Sequence, residues 1–231
     1  MLGTIVNSIA VVVGALIGII IKKGIKDDYR NTIMEGIGLA VIIIGIMGGI
    51  RSENIILVIG SIVVGGLVGE VIGIDNKLDN LGNSLQEKFG AKDSNFSKGF
   101  VTASLVYCVG AMAIVGSLEA GIQGSYETLF AKSILDGISA IIFASTLGIG
   151  VAFSALAVFI YQGSITILAG FAKDLLTPVV IQEMSAIGGI LIMAIGINIL
   201  GIKKIKVANL LPAIFIPIIY YLLSNLVNII R

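Results

Sequence analysis

The sequence predicts an all-α protein that crosses a membrane several times, a polytopic transmembrane helix bundle. Of its 231 residues, 57% are hydrophobic and only 13% are charged, which is about half the charged fraction of an ordinary soluble domain. Water solvates such a surface poorly. Apolar runs of about 20 residues, the length that crosses the hydrocarbon core, also recur from end to end. We therefore interpret residues 1–231 as one integral membrane domain in contact with the lipid bilayer.

Eight predicted spans account for these apolar runs. In chain order they cover residues 4–21, 33–50, 54–73, 98–117, 133–151, 153–171, 181–201 and 207–229. The fifth and sixth come from one apolar stretch that is too long for a single crossing at a rise of about 1.5 Å per residue. A turn near Gly148, Gly150 and Ser154 is expected to divide that stretch.

The positions of the basic residues favour eight crossings with both termini outside. Cytoplasmic loops of membrane proteins collect Lys and Arg. In the eight-span arrangement, eleven of the fifteen Lys and Arg residues lie in cytoplasmic loops. If residues 133–171 crossed only once, the Lys203–Lys206 cluster would move outside and the asymmetry would nearly vanish.

Residues 74–97 form the longest polar connection and predict one amphipathic helix at the cytoplasmic interface. Leu78, Leu81, Leu85 and Phe89 are spaced three and four residues apart among polar neighbours, which places them on one helix face. We expect this helix to brace the bundle.

Two glycine patterns bear on the architecture. The run from Gly38 to Gly45 in the second span resembles the run from Gly189 to Gly196 in the seventh. Because spans five apart run in opposite directions, spans one to three and six to eight would form an inverted repeat, as in many transporters. Glycines four residues apart, such as Gly14 and Gly18, let helices approach closely. They serve packing within the bundle or, alternatively, a homodimer interface.

Polar side chains inside the predicted spans are the candidate binding residues, because such groups are costly in hydrocarbon and usually face a cavity or a partner. The candidates are Asn7, Asp136, Gln162, Ser164, Thr166 and Asn198. The cluster from Gln162 to Thr166 contains Gly163, which would permit local unwinding. The alternative is that Ser164 and Thr166 bond to their own helix and Gln162 bridges two helices.

Asp136 has two interpretations. It would bind a cation or a proton at the outer mouth of a pathway, or it would pair with Lys132 four residues earlier on the same helix face.

Several classes of function find no support in the sequence. The net charge of +1 provides no field for nucleic acid, and the chain has no histidine and one cysteine, so we expect no metal site and no cofactor. There is no phosphate-binding Gly-x-x-x-x-Gly-Lys loop and no nucleophile elbow. We therefore expect that the protein is not an enzyme.

Short motifs along nearly the whole chain resemble those of the domain-of-unknown-function 554 family, the YqgA/YdfK-like membrane proteins. They begin at Gly3, Lys132, Ser145, Tyr161 and Ala208, and they read GTIVN, KSILDG, STLGIGV, YQGS and ANLLP. The resemblance implies a bacterial cytoplasmic (inner) membrane protein, often described as a transporter without an established substrate. It assigns no binding residues.

The sequence leaves two hypotheses about function. The first is a transporter or channel for a small solute or ion, with a site between the first, fifth, sixth and seventh spans. The second is a scaffold or accessory subunit that does not transport and whose glycine-rich faces pack against a partner. Convergence of the candidate residues on one place would favour the first, and separate helix contacts would favour the second.

Overall fold

The computed structural model describes residues 1–22, 27–88, 95–172 and 175–230, and these contain helices and no strand. The elements are α1 (Leu2–Lys22), α2 (Asp27–Gly49), α3 (Ile55–Ile72), α4 (Ile74–Lys88), α5 (Phe96–Val109), α6 (Ala111–Ile122), α7 (Glu127–Leu147), α8 (Gly150–Ala172), α9 (Pro178–Ile199), a 3-10 helix (Val207–Phe215) and α10 (Ile216–Ile230). The predicted all-α, polytopic bundle is confirmed. Seven segments of the described chain are long and apolar enough to cross a membrane, and α5 with α6 would supply an eighth crossing.

The long apolar stretch of residues 133–171 divides at the place where the sequence predicts a turn. α7 ends at Leu147 and α8 begins at Gly150. Gly148 between them has a φ of 82°, a conformation that glycine adopts without the steric cost other residues incur. Ser154 lies inside α8, where its hydroxyl donates to the carbonyl of Val151 at 2.6 Å.

The segment predicted as the fourth span, residues 98–117, is not the single helix expected there. It consists of α5 and α6, which are bent by 59° relative to each other. Gly110 lies between them with an extended backbone, φ −73° and ψ 147°. An extended residue interrupts the i to i−4 hydrogen bonds of a helix, and glycine is the residue other than proline that a helix holds least strongly. The last predicted span is also irregular, because it begins as a 3-10 helix that contains Pro212.

The α4 helix is the counterpart of the predicted amphipathic helix. Its described part ends at Lys88, so Phe89 lies outside the described residues. Gly82 is buried against Ser97 at the start of α5, while Leu81 is 48% exposed. Gly82 therefore lies on the face of α4 that contacts α5, whereas Leu81, a member of the predicted apolar face, is largely exposed.

Helix α2 packs against α9 in a way that agrees with an inverted repeat. A Cβ atom on Gly45 would lie 2.7 Å from the carbonyl oxygen of Gly189, and one on Gly196 would lie 2.8 Å from that of Gly38. In the predicted repeat, Gly38 corresponds to Gly189 and Gly45 corresponds to Gly196. Exchanging corresponding residues converts the contact of Gly45 with Gly189 into the contact of Gly196 with Gly38. A two-fold axis between two antiparallel helices produces such a pair.

Gly69 allows α3 to pack closely against the 3-10 helix, and a substitution at this position tests that contact. A Cβ atom on Gly69 would overlap the backbone carbonyl of Asn209, whereas one on Gly60 of the same helix would meet open space. We expect Gly69→Ala to lower the free energy of unfolding by about 1–3 kcal/mol through overpacking. Gly60→Ala should be neutral or slightly stabilising, because alanine favours helix.

Unfolding in mixed micelles with increasing dodecyl sulfate measures both variants. Equal stabilities for Gly69→Ala and Gly60→Ala would contradict the close approach of the two segments.

Candidate functional site

The first part of the candidate site is a buried polar contact between α1 and α7. The side-chain amide of Asn7 donates to Oδ2 of Asp136 at 3.0 Å. Lys132 Nζ donates to both oxygens of the same carboxylate, at 2.8 and 2.6 Å. Asn7 is 0% exposed, Lys132 5% and Asp136 6%. Asp136 therefore pairs with Lys132 and is also contacted by Asn7 from a second helix.

Small residues bring these two helices close together. A Cβ atom on Gly14 would overlap the backbone of Gly137, and one on Gly18 would overlap that of Ile141. Residues four apart on α1 thus contact residues four apart on α7 in the same order, so the two helices run parallel, which agrees with their predicted positions as the first and fifth spans. The close approach lets the short side chain of Asn7 reach a carboxylate on its neighbour.

The buried pair also faces the broken fourth span. Lys132 Nζ lies 5.9 Å from the ring centroid of Tyr107, within the range in which an aromatic ring attracts a cation. Tyr107 is buried and lies one turn before Gly110, where α5 ends and α6 begins. The Lys132–Asp136 pair is thus placed near the interruption of this span.

The second part of the site is a set of buried polar side chains on α8. Both amide atoms of Gln162, which is 0% exposed, and the hydroxyl of Thr166 have no hydrogen-bond partner among the described residues. Leaving a buried polar group unpaired costs about 1–3 kcal/mol, so such groups are rare. Further atoms of this kind lie on α1, α5 and α6: the side-chain oxygens of Thr4, Asn7, Ser104 and Ser117.

Neighbouring helices meet α8 in the same turns. A Cβ atom on Gly163 would lie 3.4 Å from the methyl group of Met1, at the start of α1. Gly121, near the end of α6, packs closely against the backbone of Thr166. The start of α1 and the end of α6 therefore border the part of α8 that carries Gln162 and Thr166.

Two of the sequence-predicted residues lie elsewhere. Ser164 is exposed on the outer face of α8 and donates to the carbonyl of Ile160 at 2.6 Å. Asn198 lies at the end of α9, where its amide donates to the carbonyl of Ile205 at 2.8 Å and accepts from the N–H of Ile205 at 2.7 Å. α8 also continues without a break through Gly163, so the expected local unwinding is absent from this helix.

Glu183, a buried carboxylate near the start of α9, is not among the residues that the sequence predicts for a site. It is 1% exposed and accepts from Ser52 Oγ at 2.6 Å and from the N–H of Glu53 at 3.0 Å. Gln182 donates to the carbonyl of Arg51 at 2.7 Å. The two residues fasten the α2–α3 connection to α9. The sequence feature that indicates them is an amide residue followed directly by an acidic residue at the start of an apolar span.

Comparison with known proteins identifies the family. The family model described as Protein of unknown function (DUF554) matches residues 2–222. The chain belongs to this family.

Two relatives of this DUF554 protein are named as uncharacterized proteins, and the name of one also states that it is a membrane protein. It is 40% identical over 221 residues to the uncharacterized membrane protein YdfK of Bacillus subtilis (strain 168), a match that covers 94% of each chain. It is 29% identical over 220 residues to the uncharacterized protein YqgA of Escherichia coli (strain K12), which covers 93% of this chain and 94% of the relative. No solved structure matches the chain. The resemblance seen in the sequence is confirmed, and the protein is a membrane protein of a family without an assigned activity.

Asn198 and Ser164 of this DUF554 protein have different hydrogen-bond partners, so we expect their alanine variants to differ in stability. Asn198→Ala should lower the free energy of unfolding by about 1–3 kcal/mol, because both backbone groups of Ile205 lose their side-chain partner. Ser164→Ala should change stability little, since its hydroxyl bonds only to its own helix. Unfolding titrations of the two variants provide the measurement. A larger loss for Ser164→Ala would contradict both assignments.

Proposed function

We propose that the protein transports or conducts a small solute or ion along a pathway bordered by α1, α5, α6, α7 and α8. The observation that carries the proposal is Gln162, a fully buried amide with neither atom bonded within the described part of the chain. A polar side chain held in the hydrocarbon without a partner is explained most simply by a ligand that binds to it. Thr166 adds a second such group one turn away.

Two further features support this proposal. The Lys132–Asp136 pair supplies both signs of charge within the membrane, and Asn7 connects the pair to α1. The fourth span is interrupted at Gly110, and interrupted helices border the substrate sites of many secondary transporters because their free backbone groups can bind solutes. In this proposal Asn7, Asp136, Gln162 and Thr166 contribute to the site, and the protein performs no catalysis.

The non-transporting scaffold remains the second candidate function. The contacts of Ser164 and Asn198 favour it, since both side chains bond locally and away from the cluster. Close glycine contacts such as Gly14 with Gly137 are used inside the chain. A homodimer would therefore need a different face.

A thermal-shift screen of the detergent-purified protein tests the proposal. Amino acids, organic acids, nucleosides and mono- and divalent ions are each added at millimolar concentration. A ligand that binds only the folded protein raises its melting temperature. A hit that Gln162→Leu abolishes and Ser164→Ala retains, followed by uptake of that solute into proteoliposomes, is the expected result. A flat screen with no uptake would favour the scaffold.

We also propose the bacterial cytoplasmic membrane as the location, with both termini outside. The support is the excess of Lys and Arg in alternate loops. A Cys108→Ser background permits single cysteines to be introduced. Lys203→Cys should react with a membrane-impermeant thiol reagent only after the cells are opened. Labelling of Lys203→Cys in intact cells would refute this orientation.

A further inference from the structure

A second polar region lies apart from the buried pair, at the end of the bundle where α4 packs. It is a cavity of about 530 Å³, a volume within the roughly 300–1,000 Å³ of typical ligand pockets. Its lining comes from α4, α5, the end of α9 and the connection to the 3-10 helix. None of its lining residues belongs to the cluster around Lys132, Asp136 and Gln162.

The walls of this cavity carry opposite charges. Asp75 and Asp79 line it from α4, and Lys98, Lys203 and Lys204 line it from α5 and the α9 connection. None of these five side chains forms an ion pair with another described residue. Burial, and next the charge of Asp79, raises the pKa of Asp75 above its ordinary value. The two signs therefore face one cavity without neutralising each other in direct contact.

Hydrogen bonds fix the walls that hold these charges. Asn198 bonds to both backbone groups of Ile205 at 2.8 and 2.7 Å, which sets the connection that carries Lys203 and Lys204. Asn209 accepts from the N–H of Asp75 at 2.7 Å and donates to Glu70. Such bonds reduce the ordering needed when a ligand binds.

The interior of the cavity is less polar than its charged walls. Leu105 and Ile195 line it together with Val101, Ile205 and Val207. Thr102, Ser97 and Asn83 add hydroxyl and amide groups. A lining that is partly apolar, with a few convergent polar groups, suits a small organic molecule better than a bare ion.

We propose that this cavity binds a small zwitterionic solute. Its ammonium group lies against Asp75 and Asp79, and its carboxylate or phosphate lies against Lys203 and Lys204, with Lys98 adding positive charge. A ligand with only a positive charge would pair with the aspartates and leave the lysines without a partner, and a ligand with only a negative charge would do the reverse. A zwitterion pairs with both groups at once. The inference goes beyond the proposed function, because binding at this cavity does not require that the solute be transported.

A series of three probes of similar length tests the charge requirement. The probes are 4-aminobutanoate, which carries both charges, butylamine, which carries only the cation, and butanoate, which carries only the anion. Isothermal titration calorimetry on the full chain in lipid-free detergent should give an affinity for 4-aminobutanoate at least about tenfold higher than for either of the others, the ratio that 1.4 kcal/mol represents. Equal affinities for the three probes would overturn the proposal.

Variants at the cavity test the placement of the two groups. Asp79→Asn should weaken 4-aminobutanoate about tenfold or more while leaving butanoate unchanged. Lys204→Gln should weaken 4-aminobutanoate and butanoate and leave butylamine unchanged. Glu87→Gln and Lys77→Gln are matched controls, because both residues lie on α4, are exposed and do not line the cavity. Losses in the controls equal to those in Asp79→Asn and Lys204→Gln would overturn the placement.

The headgroup of phosphatidylethanolamine has the same combination of charges, so the source of the zwitterion needs its own measurement. The titrations are repeated in nanodiscs of phosphatidylglycerol alone and in nanodiscs that also contain phosphatidylethanolamine. A free solute should bind equally in both. Failure of every soluble probe in detergent, with binding seen only for a short-chain phosphatidylethanolamine, would refute a soluble ligand. Because transport is not measured, these outcomes are independent of those for the Gln162 variant.

Discussion

Replacing Lys132 with methionine is expected to lower the free energy of unfolding by about 3–5 kcal/mol, the usual cost of removing one partner from a buried ion pair. Lys132 and Asp136 are 5% and 6% exposed, and Lys132 donates to both carboxylate oxygens. Methionine keeps most of the side-chain volume and removes the charge. Asp136 would then be left with Asn7 as its described side-chain partner, which is insufficient for a buried carboxylate.

The double variant Lys132→Met with Asp136→Leu distinguishes two causes of lost stability. One is the loss of the ion pair itself, and the other is the cost of a buried charge that has no partner. Replacing both partners with apolar residues is often neutral or stabilising. The double variant should therefore recover part of the lost stability, less about 1–3 kcal/mol because the buried amide of Asn7 loses its bond to Asp136. Unfolding in mixed dodecyl sulfate micelles, monitored by circular dichroism, measures the cycle. Lys77→Met, at an exposed position on α4, controls for the loss of a positive charge. Additive losses in the double variant would show that the pair is not coupled.

The pairing of Lys132 with Asp136 also determines which variant should be used to test transport. Asp136→Ala would leave Lys132 buried without its carboxylate, so a loss of uptake in that variant would not distinguish a site from a folding defect. The double variant, which should fold, is the better test of whether the charges matter for transport.

Gln162→Leu is expected to abolish transport while leaving the protein as stable as the wild type or more stable. The amide of Gln162 makes no hydrogen bond to the residues that the structure describes, and removing an unpaired buried amide relieves a cost of about 1–3 kcal/mol. Leucine occupies a similar volume. Proteoliposome uptake of the solute found in the screen, together with the unfolding titration, measures the two effects in one variant.

The control for Gln162→Leu is Ser164→Ala, two residues further along α8 on its exposed face. It should transport at the wild-type rate. Gln162→Leu with a stability loss of about 2 kcal/mol or more would mean that the amide has a structural partner. Wild-type uptake in Gln162→Leu would remove this residue from the pathway.

The candidate site was only partly predictable. The sequence identified Asn7 and Asp136 as polar groups inside spans, and the structure brings them together at 3.0 Å. It also identified Ser164 and Asn198, which the structure places on an exposed face and at a helix end. Which side of a helix a serine occupies depends on how neighbouring helices cover it. Ser164 lies between Gln162 and Thr166 in the sequence, and that spacing does not indicate which of the three side chains is buried.

The sequence by itself determined the membrane location, the helical class and the division of the long apolar stretch at Gly148. These properties are local, because an uninterrupted apolar run of about 20 residues must bond its own backbone in lipid. The tertiary structure alone decided the pairing of α1 with α7, the bend at Gly110 and the isolation of Gln162. The pairing of α1 with α7 depends on close contacts between segments far apart in the chain, where a glycine rather than a larger residue sets the distance between two helices. The surroundings of Gly110 and Gln162 depend on how the other helices pack around them, which a local sequence pattern does not contain.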